Sequence, residues 1–119
     1  MRIVVLEDDK DYREVLTQIL EDAGHEVFGA ETGFDIVDEL VHGSPDLILL
    51  DLMLPTLTGD NVIEMFKQKQ VIKEVPVVII SSKDDEEIKA AAQKISAAGW
   101  LRKPVDRDEL LEAVEKYTK

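Results

Sequence analysis

Leu47-Ile48-Leu49-Leu50, closed by Asp51, is the run on which the fold turns. A strand with one wet face alternates apolar and polar side chains. This one is apolar at every position, so both of its faces are buried. Such strands belong to parallel sheets covered by helices on both sides. Upstream, Ile3-Val4-Val5-Leu6 reads the same way, and downstream so does the run from Val75 to Ile80, which carries Pro76 near its start. Glu26 to Ala30 is a weaker strand, and Gly99 to Arg102 a short fifth one.

Between these runs the periodicity changes to that of helices. From Lys10 to Ala23, Val15, Leu16, Ile19 and Leu20 recur at helical spacing, and Gly24 stops the segment. Thr32 is placed to cap a second helix carrying Phe34, Ile36, Val37 and Leu40, which ends before Gly43 and Pro45. A loop through Pro55 and Gly59 leads to a third, with Val62, Ile63 and Phe66 inward. Asp84 to Ala97 is a fourth, its acidic opening Asp84-Asp85-Glu86-Glu87 lying at the positive end of the helix dipole. Asp106 caps the last, with Glu109 completing a capping-box-like pattern and Leu110, Leu111 and Val114 inward. Strand and helix thus alternate five times. The fold class is α/β, a five-stranded, doubly wound parallel sheet, because crossovers between parallel strands are right-handed.

Composition narrows the function. The chain has 119 residues, the size of one domain, with 45% hydrophobic residues and enough apolar surface for a core. Lys and Arg number 14 against 26 Asp and Glu, a net charge of −12, which repels nucleic-acid phosphates and anionic membranes. Cys is absent, which excludes disulfides, thiolate metal sites and a cysteine nucleophile, and suits a reducing compartment. No apolar run approaches the roughly 20 residues of a membrane span, and Ile3–Leu6 is too short for a signal peptide. The expectation is a cytoplasmic, soluble domain.

In doubly wound sheets, ligands bind beyond the carboxyl ends of the strands. Glu7, Asp8 and Asp9 follow the first strand, Asp51 the third, Ser81 and Ser82 the fourth, and Lys103 the fifth. Each has an ordinary explanation. Asp9 suits a helix cap, Asp51 a turn, Ser81 a strand-end hydroxyl and Lys103 a solvated surface. Jointly they place carboxylates, a hydroxyl and an ammonium on one rim, which folding does not demand. Clustered carboxylates need neutralising, and a hard divalent cation such as Mg²⁺ does so with oxygen ligands. A carboxylate beside such an ion is a competent nucleophile toward phosphorus, with Lys103 balancing phosphoryl charge and Ser81 donating a hydrogen bond.

IVVLEDD at the start, LILLDLMLPTLTG in the middle, VPVVIISSKDDEE and AAGWLRKPVDRDEL together resemble a two-component response regulator receiver domain across essentially the whole chain, residues 1–119. The resemblance implies a flavodoxin-like (βα)5 fold with strand order 2-1-3-4-5. It implies Asp51 as phosphoacceptor, with Mg²⁺ held by Glu7, Asp8, Asp51 and the backbone carbonyl of Met53. It implies Ser81 as the hydroxyl switch residue, Trp100 as the aromatic one, and Lys103 as the phosphate-binding lysine, followed by a cis bond to Pro104. Partners would be a sensor histidine kinase or phosphotransfer protein upstream, and an effector protein or fused output domain downstream. The catalysis would be confined to the protein's own phosphorylation and dephosphorylation. Signalling would pass through the face built from helix 84–97, strand 99–102 and the last helix.

Three positions depart from the family habit: Val105 where Phe is usual, the large Trp100, and Ser82 where Ala is frequent. Other readings are weaker. An Asp-nucleophile phosphatase of the haloacid dehalogenase type places Asp-x-Asp after strand one, where Glu7-Asp8-Asp9 stands here. A nucleotide or flavin domain would need a glycine-rich phosphate loop, and neither GxGxxG nor GxxxxGK[ST] occurs. A docking-only pseudo-receiver would have lost the acidic pair, the Asp or the Lys. His25 and His42 are isolated from the rim and suit neither a metal nor a relay role.

Overall fold

The computed structural model describes residues 1–31, 45–51, 75–95 and 97–118. In chain order these contain β1 (Arg2–Leu6), α1 (Lys10–Asp22), β2 (Glu26–Ala30), β3 (Leu47–Asp51), β4 (Val77–Ser81), α2 (Asp85–Ile95), β5 (Gly99–Arg102) and α3 (Arg107–Tyr117). The five strands form one sheet in the order β2-β1-β3-β4-β5, and every neighbouring pair is parallel. This is the flavodoxin-like arrangement the sequence implies. The helices expected from Thr32 and around Val62, together with His42, Met53, Pro55 and Gly59, lie outside the described residues.

All five residues of β3 are buried, as are all five of β4. On one sheet face Ile3, Val5, Leu47, Leu49, Val78 and Ile80 form a cluster with Leu16 and Leu20 of α1 and Leu110 and Val114 of α3. Val4, Leu6, Ile48, Leu50 and Ile79 alternate with them along the strands and are buried too. Ile88 of α2 is fully buried and Ala92 nearly so. β2 is an edge strand, and only Ala30 of its residues is buried.

The helix ends show which local signals operate. Asp9 caps α1, its carboxylate accepting the amides of Asp11 at 3.0 Å and Tyr12 at 3.2 Å. Gly24, at φ +94°, closes the helix in a Schellman turn: its N–H donates to Glu21 O and the His25 N–H to Leu20 O. Asp84 caps α2 by accepting the Glu87 amide at 2.9 Å, so the acidic run is a helix start with an exposed outer face. Asp106 occupies the cap position of α3, but its side chain makes no capping hydrogen bond. The capping-box pattern therefore marks the boundary without forming the box. Val15 departs from the periodic reading: Leu16 and Leu20 face inward, one turn apart, while Val15 stands outward and is 53% exposed.

Gly99 opens β5 beneath the ring of Tyr117, and a Cβ there would overlap the phenol oxygen and Cζ of that ring. Gly99→Ala must push the ring off the core it partly covers. It should cost about 1–3 kcal/mol in urea unfolding, and Tyr117→Ala introduced first should remove most of that penalty. Equal stability of Gly99→Ala and the parent protein would contradict the contact.

Candidate functional site at the strand ends

Parallel pairing puts the carboxyl ends of β1, β3, β4 and β5 on one rim. Glu7 follows β1, Asp51 ends β3, Ser81 ends β4 and Lys103 follows β5. Among the described residues the buried polar side chains are Glu7, Asp51 and Ser81, at 1%, 3% and 0% exposure. The core thus has its polar groups at the place the topology reserves for a ligand.

Carboxylate oxygens of Glu7, Asp8 and Asp51 lie within 4.8 Å of one another, with Asp8 partly open to solvent. The Lys103 ammonium enters this cluster from β5. Its Nζ stands 2.5 Å from Glu7 Oε1 and 3.3 Å from Asp51 Oδ2. Glu7 Oε2 is buried with no hydrogen-bond partner among the described residues. Burial, then the hydrogen bond and charge of Asp51, push the Glu7 carboxyl up to about 8, against the opposing pull of Lys103. Burial alone would lower the Lys103 ammonium, but its contacts with the two carboxylates prevail and raise it.

The backbone around these groups is tied on each side. The Glu7 N–H donates to Ala30 O at 3.0 Å, and the Glu7 carbonyl accepts Arg13 Nη1 at 2.7 Å. Arg13 reaches that carbonyl by crossing Gly29, where a Cβ would stand 3.2 Å from its Cδ. Ser81 Oγ accepts the Lys83 amide at 3.1 Å, leaving its hydroxyl proton for another acceptor. The Ser81 carbonyl accepts the Lys103 amide at 2.8 Å, so hydroxyl and ammonium are joined through the main chain. The Lys103–Pro104 bond is cis.

Of the residues singled out from the sequence, Glu7, Asp8, Asp51, Ser81 and Lys103 share the rim, and Met53 lies outside the described residues. Trp100 lies on β5, paired with Ile79, with its side chain 40% exposed. Asp9 caps α1 and takes no part in the cluster. His25 sits at the opposite end of the sheet, in the turn between α1 and β2. Burial, with the N-terminal ammonium 3.5 Å away, holds it below the usual imidazole range. Arg13 and Tyr12 went unmarked in the sequence. Their contacts reach Glu7, Lys103 and Val105, and only the Arg13–Glu7 contact is short-range in the chain.

The response regulator receiver domain family matches residues 3–115, and the chain belongs to it. Protein PilG of Pseudomonas aeruginosa is 30% identical over 117 residues, covering 98% of this chain and 87% of that protein. Protein PilH of the same organism is 33% identical over 113 residues, covering 95% and 93%. In fold, the chain is similar to Vibrio cholerae chemotaxis protein CheY4, with a TM-score of 0.90 at 24% identity over 98% of this chain and 97% of that one. It is therefore a receiver domain of two-component signalling. Among the described residues no helix is long and apolar enough to cross a membrane.

Proposed function

We propose that the chain accepts a phosphoryl group on Asp51 and relays it as a change of protein-binding surface. The observation that carries this is a lysine ammonium set between two buried carboxylates at the strand-end rim. The donor set suits a hard divalent ion, because three carboxylates converge and one buried oxygen, Glu7 Oε2, lacks a partner among the described residues. Glu7, Asp8 and Asp51 would hold Mg²⁺, with the Met53 carbonyl as a further ligand. Once bound, the ion neutralises charge on the transferring phosphoryl oxygens.

An Asp51 carboxylate oxygen attacks phosphorus. The O–P bond forms as the P–N bond of a phosphohistidine, or the P–O bond of an acyl phosphate, breaks, and the leaving group takes the electron pair. Lys103 shifts its contact from Asp51 to a phosphoryl oxygen, and Ser81 donates its hydroxyl proton to another. Positioning and charge carry this chemistry, and these groups provide both. With acetyl phosphate and Mg²⁺, intact mass should rise by one phosphoryl group in the parent protein and not in Asp51→Asn. Phosphate retained by that variant, or transfer in excess EDTA, would refute the assignment.

Output is assigned to the face of α2, β5 and α3. A groove of about 470 Å³ runs between β5 and α3, bordered by Trp100, Arg102, Glu109, Glu112, Lys116 and Tyr117. Movement of Ser81 toward a phosphoryl oxygen vacates room for the Trp100 ring. Adding Mg²⁺ and beryllofluoride together should blue-shift the fluorescence of this single tryptophan as the ring leaves solvent. Ser81→Ala should weaken the shift, and Asp51→Asn should abolish it. An identical spectrum with and without the mimic would leave Trp100 as packing. Upstream partners are a histidine kinase or phosphotransfer protein. With a net charge of −12, residues 1–119 should not bind DNA, and salt-sensitive DNA binding would overturn that.

A further inference from the structure

Tyr12, on the first turns of α1, touches the segment after β5 in two places. Its hydroxyl accepts the Val105 amide at 3.0 Å, across 93 residues of sequence. Its ring lies under the Lys103 ammonium, with Nζ 4.5 Å from the centroid. Both Tyr12 and Val105 pack against the core cluster, so the ring has a fixed seat. The start of α1 is itself fixed by the Asp9 cap, whose second amide donor is that of Tyr12.

These contacts bracket the lysine. On one side stand the carboxylates of Glu7 and Asp51. On another stands an aromatic face, whose quadrupole attracts a cation without competing for its hydrogen-bond donors. A flexible four-carbon stem leaves an ammonium many places to go. An aromatic wall within contact distance removes most of them, and the hydroxyl anchors the main chain two residues further on. The Lys103 side chain is 19% exposed, so the contact is partly desolvated and stronger than on an open surface.

We infer that Tyr12 is a positioning residue for Lys103: its ring holds the ammonium at the place where a phosphoryl group on Asp51 meets it. The inference rests on the phosphoacceptor reading above, yet the placement of the ring has a readout of its own.

Two variants separate ring from hydroxyl. Tyr12→Phe keeps the ring and loses the acceptor, and Tyr12→Leu loses both. In the resting protein, Lys103 ε-methylene protons above the ring should resonate upfield by ring-current shielding. The shift should persist in Tyr12→Phe and vanish in Tyr12→Leu. Titrated calorimetrically with beryllofluoride in excess Mg²⁺, Tyr12→Phe should bind within about twofold of the parent. Tyr12→Leu should bind about tenfold more weakly, the scale of a partly desolvated cation–π contact. A Lys103 resonance unmoved by Tyr12→Leu, or equal mimic affinity in that variant and the parent, would overturn the inference while leaving the phosphoacceptor reading in place. If the parent protein itself neither binds beryllofluoride nor takes phosphate, the reading of the site falls and the inference falls with it.

Discussion

Lys103→Met should lower the stability of the protein by about 3 kcal/mol in EDTA at neutral pH and slow phosphoryl transfer from an acyl phosphate by about a hundredfold. The two effects have one origin. Lys103 Nζ is 2.5 Å from Glu7 and 3.3 Å from Asp51, and both carboxylates are nearly inaccessible to water. Removing the cation strands two buried acids, and removal of one partner of a buried pair is expensive because the survivors stay desolvated. Glu7, whose carboxyl is pushed up to about 8, already holds a proton at neutral pH, so only part of that penalty falls on it and the loss stays at the lower end of the range. Excess Mg²⁺ should restore much of the stability, since a ligand at a hundred times its Kd contributes about 2.7 kcal/mol to the folded state. It should not restore the rate, because the ammonium that meets the phosphoryl oxygen is gone. Urea unfolding with and without Mg²⁺, alongside single-turnover phosphorylation, measures both. A Lys103→Met protein as stable as the parent in EDTA would show that this ammonium is not the counter-charge of the cluster.

Glu7→Gln should have the opposite sign in EDTA. The parent side chain is 1% exposed, leaves Oε2 without a partner among the described residues, and stands beside a second carboxylate. Its carboxyl is pushed from 4.5 up to about 8. The folded state therefore holds a proton that the unfolded chain releases. This contribution to stability is complete below pH 4.5 and is lost as pH rises through about 8, the reverse of an ordinary salt-bridged carboxylate. An amide has the same shape and no proton to lose. Glu7→Gln should match the parent near pH 5 and exceed it by about 3 kcal/mol near pH 8, because the parent loses about 1.4 kcal/mol per pH unit while its folded state alone holds the proton, a sign expected when a buried charge is replaced by a neutral group. Saturating Mg²⁺ should invert the order, because the parent gains the binding energy of the ion and the variant forgoes most of it. Chemical denaturation across that pH range, with and without Mg²⁺, gives the comparison. A parent protein whose stability in EDTA climbs from pH 5 to 8 relative to Glu7→Gln would contradict the placement of this acid.

Much of this molecule is written in short segments. An apolar run such as Leu47–Leu50 needs only its own composition to announce a strand covered on both faces, and β3 is buried throughout. Asp9 before a helical period and Gly24 after it are local signals acting over three or four residues, and both operate as read. The strand ends then follow from topology, so Glu7, Asp51, Ser81 and Lys103 were legible as rim residues. Position along the chain did not determine environment. Glu7, Asp8 and Asp9 are consecutive acids, yet one is buried against a lysine, one reaches solvent and one caps a helix. Their carboxylates are chemically alike, and the difference comes from which elements pack over each. The same holds for Val15, apolar and outward, and for Asp106, which sits at the cap position without a side-chain capping hydrogen bond. Tyr12 is the clearest case, because its partners lie more than ninety residues away and come within reach only when α1 and the segment after β5 pack on the same sheet face. The sequence by itself determined the alternation of elements, the class of fold and the chemical groups at the rim, since each depends on neighbours a few bonds away. Tertiary structure alone decided which acid is desolvated, which oxygen lacks a partner and where the lysine rests, because burial and charge depend on groups brought together through space.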